Sequence, residues 1–219
     1  MTDRGRYAAT GIQAELEPGS RGRVLRNLRG IRLVREMHRA EFEGLLRATD
    51  AWIARTRTDH RFTADDLCWM HREWLGKIYP WAGEFRAVDL AKGDVRFANA
   101  AQIPRLMQEL ERGPLATFTP CRPAEVAEVA NALAVVHAEL ILIHPFREGN
   151  GRAARLVAGL MGLQARLPAL QFDALDGKGK PAYFAAIQKA FDRDYGPLSA
   201  LFVSVIEKTL LRQRGRLRD

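Results

Sequence analysis

The sequence predicts a mainly α-helical fold that carries one short β-hairpin. Three observations point to it. Apolar residues recur at helical spacing in Leu33, Met37, Phe42, Leu45, Leu46 and Trp52. Thr63-x-x-Asp66 stands directly ahead of Leu67, Met70 and Leu75, the pattern of a capping box that opens a second helix. Only between Ala87 and Phe97 does the period change. There Val88 and Leu90, then Val95 and Phe97, alternate with polar neighbours around Lys92-Gly93-Asp94, which predicts two strands and a turn.

Further helices are expected at about 100–112, 123–143, 150–166, 180–193 and 198–213. Pro123 fits a first helical turn, where a missing N–H costs nothing, and Pro168 helps to end the helix before it. The most apolar run, Val129 to Ile143, is interrupted by Asn131, His137 and Glu139. It falls short of the ~20 residues that span a bilayer, so it reads as a buried core helix and no membrane is expected. Trp69, Trp74 and Trp81 read as core aromatics.

With 219 residues, 47% of them hydrophobic, the chain can build one domain around a buried core. The Gly, Ser and Arg content of residues 17–30 suggests a loop ahead of it. The opening Met1-Thr2-Asp3-Arg4-Gly5-Arg6 stays polar through Ser20 and does not read as a secretion leader. Cys68 and Cys121 are the only cysteines and lack paired spacing, which fits structural roles in a reducing compartment. A cytoplasmic location is expected, with delivery into a host cell left open. A net charge of +8 and a pI near 10.0 invite a nucleic-acid reading. The densest basic stretch, Arg212, Arg214, Arg216 and Arg218, has no aromatic platform or DNA-binding motif beside it and reads as a solvated end.

Chemistry concentrates in His144-Pro145-Phe146-Arg147-Glu148-Gly149-Asn150-Gly151-Arg152-Ala153-Ala154-Arg155. Ile141, Leu142, Ile143 and Phe146 are apolar anchors, so the polar groups among them sit on a loop fixed by core packing, as a preorganised site requires. Gly149 and Gly151 clear side chains where the chain turns into a helix, letting backbone N–H groups and the positive helix end approach a phosphate. Asn150 can donate its amide to a phosphate oxygen. Arg152 and Arg155, three apart, share a helix face, and two guanidinium forks suit a polyphosphate. Glu148 inside this basic nest argues for Mg²⁺ held jointly with phosphate oxygens, hence ATP–Mg. His144 has the chemistry of a general base toward an incoming hydroxyl. Singly, these residues have plain readings: a core histidine, a Glu148–Arg152 pair, a glycine turn. Their joint spacing favours phosphate chemistry.

The segment resembles the Fic family (filamentation induced by cAMP), whose pattern H-P-F-x-[D/E]-G-N-G-R-x-x-R is matched at every specified position. The likeness extends upstream through Tyr79-Pro80-Trp81-Ala82-Gly83-Glu84-Phe85-Arg86 and the hairpin, and more weakly to about Phe202. It implies a Fic-like helical bundle with a hairpin flap before the active-site loop. The domain expected is 31–219, with its core at about 63–202, after an N-terminal extension of 1–30. It also implies a protein adenylyltransferase. His144 deprotonates a Ser, Thr or Tyr hydroxyl of a target protein, which attacks the α-phosphate of ATP, and pyrophosphate leaves. Glu148 is then the Mg²⁺ ligand, Asn150 with nearby N–H groups holds the α-phosphate, and Arg152 and Arg155 hold the β- and γ-phosphates. Doc-type kinases replace the second glycine with a basic residue. Gly151 is intact here, which favours AMP transfer over phosphorylation.

The family's flap adds the target peptide as an extra strand, and Val95, Arg96 and Phe97 are the candidates for that edge. Many relatives are silenced by a helix carrying [S/T]-x-x-x-E-[G/N]. Glu43-Gly44 gives the final pair, but Arg39 stands where Ser or Thr belongs, so Glu43 is an inhibitory candidate only in a degenerate form. Restraint by a separate antitoxin-like protein or by homo-oligomerisation is the alternative. For the adenine pocket the sequence offers only Tyr183. Two other readings stand beside this one: a Fic-fold transferase using another nucleotide or a phosphocholine donor, and a basic nucleic-acid-binding protein without catalysis.

Overall fold

The computed structural model describes residues 12–92 and 95–216. The expected turn at Gly93-Asp94, the first eleven residues of the N-terminal extension, the Arg216 side chain and Arg218 lie outside them. The helices are α1 (Val34–Arg55), α2 (Ala64–Leu75), α3 (Ile103–Leu110), α4 (Ala116–Phe118), α5 (Val126–Ile143), α6 (Asn150–Gln164), α7 (Lys180–Ala190) and α8 (Gly196–Arg216). Strands β1 (Ala91–Lys92) and β2 (Val95–Arg96) pair antiparallel, Ala91 opposite Arg96 and Lys92 opposite Val95. The mainly α expectation with one hairpin holds. The chain divides into two units that interleave along the sequence. One comprises residues up to Arg55, Thr63–Glu109 and Ile143–Asn150; the other comprises Thr56–Phe62, Leu110–Leu142 and Gly151 onward.

In the first unit α1 packs on α2. The face that α1 buries is Met37, Ala40, Glu41, Gly44, Ala48 and Trp52, whereas Leu33, Phe42 and Leu46 are exposed. Small residues carry this contact because the helices approach closely: a Cβ on Gly44 would lie 2.6 Å from the Trp74 carbonyl oxygen. The approach is tied polar to polar, since Trp74 Nε1 donates to the Glu41 carbonyl at 2.7 Å and the Tyr79 hydroxyl donates to the Glu41 carboxylate at 2.7 Å. The start of α2 is the predicted capping box: the Thr63 hydroxyl accepts the Asp66 N–H at 3.1 Å, and the Asp66 carboxylate accepts the Thr63 N–H at 3.0 Å. Trp74 and Trp81 are buried, and Trp69 packs beside Trp52. The hairpin is shorter than its alternation suggested, because Val88 and Leu90 are buried ahead of the strands.

The second unit centres on α5, which buries Val129, Ala130, Ala132, Leu133, Ala134, Val136, Ala138 and Leu140. By length and composition α5 passes as a membrane span, yet 61% of it is buried inside the protein. It begins at Val126 and leaves Pro123 outside the helix. Ahead of it, the Cys121 N–H donates to Gln164 Oε1 at 3.0 Å. Gln164 Nε2 donates in turn to the His60 carbonyl at 2.7 Å, so one buried amide joins the end of α6 to two loops. Burial raises both cysteine thiols to about 11. Past α3 the chain runs through a π-helical turn, Glu111–Leu115, where Pro114 has no N–H to give.

His137 on α5 is 1% exposed. Burial pushes its pKa down to about 4; an interaction with the Ala154 backbone offsets part of this, and the Arg155 charge adds to it. The unfolded chain, at a usual ~6.5, therefore binds this proton first. Stability from neutral His137 is present above that value and is lost as pH falls from about 6.5 toward 4, by up to ~3 kcal/mol. The expected result is that His137→Gln unfolds with a flatter pH dependence across that window than the parent, measured by urea denaturation.

Candidate active site

Residues 143–150 form the loop between α5 and α6 in the first unit. His144 lies in the left-handed region at φ +53°, an unusual conformation for a side chain of its size. Arg86 holds it there. This arginine is 2% exposed. Its Nε donates to the His144 carbonyl at 2.7 Å, Nη1 to Val88 O at 2.6 Å, and Nη2 to Ala98 O at 2.5 Å, with Ile143 O at 3.4 Å. Its own N–H donates to Pro145 O at 2.8 Å. One guanidinium thus binds both stems of the hairpin and the loop. The Phe97 ring stacks on the His144 imidazole at 3.8 Å and 22°, fixing the plane of that ring.

His71 on α2 is a second brace. The Gly83 N–H donates to its Nδ1 at 2.9 Å, which leaves Nε2 to donate to the Glu148 carbonyl at 3.0 Å. Its ring stacks on Phe146 at 4.0 Å and 10°. Asn150 closes the loop on itself: Oδ1 accepts the Phe146 N–H at 2.9 Å and Nδ2 donates to Phe146 O at 2.7 Å. Gly149 is required twice over, by φ +86° and because a Cβ there would sit 2.8 Å from the Trp74 ring. The Arg147 side chain is buried and donates to Gln13 O at 2.8 Å.

Beyond Asn150 the chain continues as α6 in the second unit. A Cβ on Gly151 would meet nothing within 4 Å, so among the described residues no packing demands glycine there. Arg152 and Arg155 follow on the first turns and are partly exposed. Arg155 forms a bidentate pair with Asp176, Nη1 to Oδ2 at 2.8 Å and Nη2 to Oδ1 at 2.9 Å. Tyr183, buried on α7, lies beneath the Arg155 guanidinium at 5.9 Å and bonds through its hydroxyl to His137.

The residues singled out from sequence fall into place unevenly. Glu148 is partly exposed and its Oε1 accepts the Gly149 N–H at 3.0 Å. Among the described residues no group of three or more His, Cys, Asp or Glu could hold a metal alone. Asn150, expected to reach a phosphate, has its amide engaged with Phe146, because the tight turn needs both bonds to close. Val95 and the exposed Arg96 lie on β2, whereas the Phe97 ring is given to His144. Glu43 is exposed on α1, and its glycine neighbour is accounted for by the packing of Gly44 on Trp74. Arg86, His71 and Asp176 were missed. For Arg86 the available signal is a lone arginine between Phe85 and Ala87, ahead of Val88.

A mainly helical fold with one short hairpin and a braced, histidine-bearing loop between α5 and α6 defines the class of protein. Residues 61–161 match the Fic/DOC family. The chain is 31% identical to the probable protein adenylyltransferase Fic of Escherichia coli over 64% of this chain and 67% of that one. To the protein adenylyltransferase VbhT of Bartonella schoenbuchensis it is 32% identical over 60% of this chain and 27% of that one, well under half of VbhT's length. BepC, a VirB-translocated effector of Bartonella tribocorum solved with bound AMPPNP, has a TM-score of 0.70 at 24% identity, over 88% of this chain and 96% of that one. The chain belongs to the Fic/DOC family.

Arg86→Lys keeps the charge but cannot reach four carbonyls from one planar group. It is expected to lower stability by about 2 to 4 kcal/mol in urea unfolding, through buried carbonyls left without donors. An unchanged midpoint would show that the carbonyl bonds contribute nothing.

Proposed function

We propose that this chain is a protein adenylyltransferase, moving AMP from ATP to a hydroxyl of a target protein. The observation that carries the reading is the loop itself: His144, held in a strained conformation by Arg86, precedes in the chain a helix start whose glycine no packing explains. Glycine at that position costs helix stability, up to ~1 kcal/mol relative to alanine, and close approach of a phosphate to the backbone is its reason. Relatives named protein adenylyltransferases support the same reading, as does the nucleotide analogue bound to BepC.

In this reading the His144 imidazole takes the proton of the target hydroxyl. The freed oxygen bonds to the α-phosphorus, the bond to the α–β bridging oxygen breaks, and pyrophosphate leaves with that electron pair. Phe97 holds the imidazole plane while this happens. Asn150, whose Nδ2 gives one N–H to Phe146 O and keeps a second, takes the α-phosphate together with backbone N–H groups at the start of α6. Arg152 and Arg155 take the β- and γ-phosphates. Glu148, a partly exposed carboxylate, fits a magnesium ion shared with the nucleotide, because this ion is held by one or two carboxylates together with phosphate oxygens. When bound, that ion neutralises charge on the phosphates. The target peptide docks along the open edge of β2 at Val95 and Arg96.

Transfer from ATP labelled in the α-phosphate, but not in the γ-phosphate, is the expected result. His144→Ala should lower it by at least ~10²-fold with ATP binding retained. Gly151→Ala should fold at least as stably as the parent and lose nucleotide binding. Parent-like transfer by His144→Ala would remove the general base, and parent-like binding by Gly151→Ala would remove the phosphate from the helix start.

A further inference from the structure

Arg155 is set in a network that its phosphate-binding role does not by itself require, and all of the network lies in the second unit. The Asp176 carboxylate meets the end of the guanidinium squarely, with both oxygens within 2.9 Å of the two terminal nitrogens. Asp176 sits where two short 3-10 turns, Phe172–Leu175 and Gly177–Gly179, meet, and its backbone is committed to both. Its N–H donates to Asp173 O at 3.1 Å and its carbonyl accepts the Gly179 N–H at 2.9 Å. The turns are tight: a Cβ on Gly179 would come 1.8 Å from Ala174 O. The carboxylate is therefore presented by a fixed backbone, although its side chain is 57% exposed.

The flat face of the same guanidinium is supported from α7. The Tyr183 ring lies 5.9 Å beneath it. Tyr183 cannot turn away, because its hydroxyl is hydrogen bonded to His137 Nε2 at 2.8 Å. His137 is wedged edge-on between Tyr183 and Phe202, at 71° and 69°. Burial keeps the imidazole and the phenol neutral, the one at about 4 and the other at about 12. The pair supports Arg155 without adding a second charge. Three helices and one loop thus converge on a side chain that sits on only one of them.

We propose that Asp176, Tyr183 and His137 are positioning residues that fix the Arg155 fork for the terminal phosphates of the donor nucleotide. The inference rests on the reading of Arg155 as a phosphate ligand. The Asp176 pair engages two of the five guanidinium N–H donors. It orients the fork and leaves further donors for phosphate. Without it a long side chain with four rotatable bonds has to be ordered each time a nucleotide binds.

The test is calorimetric titration of the full chain with ATP–Mg, ADP–Mg and AMP, for the parent, Asp176→Ala, Asp176→Glu and Tyr183→Phe. For Asp176→Ala the expected result is an ATP–Mg affinity about tenfold weaker, the loss of one charge-assisted contact's worth of orientation, with AMP affinity unchanged. Asp176→Glu should recover part of it. Tyr183→Phe, which keeps the ring and loses the hydroxyl tether, should fall between. A merely structural role would weaken all three nucleotides together or none, and either pattern overturns the proposal. Tighter ATP–Mg binding by Asp176→Ala also overturns it, by showing the carboxylate to compete with phosphate. Absence of ATP–Mg binding in the parent would defeat the function proposed above together with this inference, whereas parent binding with no response to Asp176 defeats this inference alone.

Discussion

The buried guanidinium of Arg86 is the contact on which the loop depends. A cation in the interior carries a desolvation cost of several kcal/mol, and here burial lowers its pKa from the usual arginine range. Backbone carbonyls from three segments offset that cost: Val88 and Ala98 on the two sides of the hairpin, and Ile143 and His144 where α5 ends. Carbonyls at a helix end have lost their intrahelical donors, so this is where a charged donor is most useful. His144 can occupy its left-handed conformation because the atoms around it are fixed from several directions.

The glycines of the loop separate structure from chemistry. Gly149 is explained wholly by the protein, since its positive φ and the Trp74 ring exclude any side chain. Gly151, two residues on, has neither reason. The same contrast runs through the polar residues. Asn150 and Arg147 are engaged in holding the loop, while Glu148, Arg152 and Arg155 keep part of their surface toward solvent. The twelve-residue motif therefore interleaves buried side chains that close the turn with side chains that are partly exposed.

Much of this was legible in the sequence, and the reasons it was legible are local. The capping box at Thr63, the order of the helices and the loop at His144 each express themselves within a few residues. What escaped were features whose cause is distant in the chain. Pro123 suggests an earlier start than Val126 for α5, and the segment before it is bonded to Gln164, forty-three residues beyond Cys121. Phe42 and Leu46 are exposed although their spacing suits a buried stripe, because α1 buries small residues, with Gly44 set against the backbone of Trp74. Nothing in the pattern reveals that the Asn150 amide also closes the turn, through Oδ1 to the Phe146 N–H and through Nδ2 to its carbonyl. Asp176, twenty-one residues beyond Arg155, belongs to no periodic signal at all.

The proposed AMP transfer depends on the fixed imidazole of His144. Intact-protein mass spectrometry addresses it most directly, after incubation with Mg²⁺ and, in turn, each nucleoside triphosphate and CDP-choline, alone and with a hydroxyl-bearing target extract digested for modified peptides. The account predicts the gain of one AMP from ATP on the chain itself or on a target peptide. Gain of a phosphoryl or phosphocholine group, or no modified residue from any donor, would contradict it.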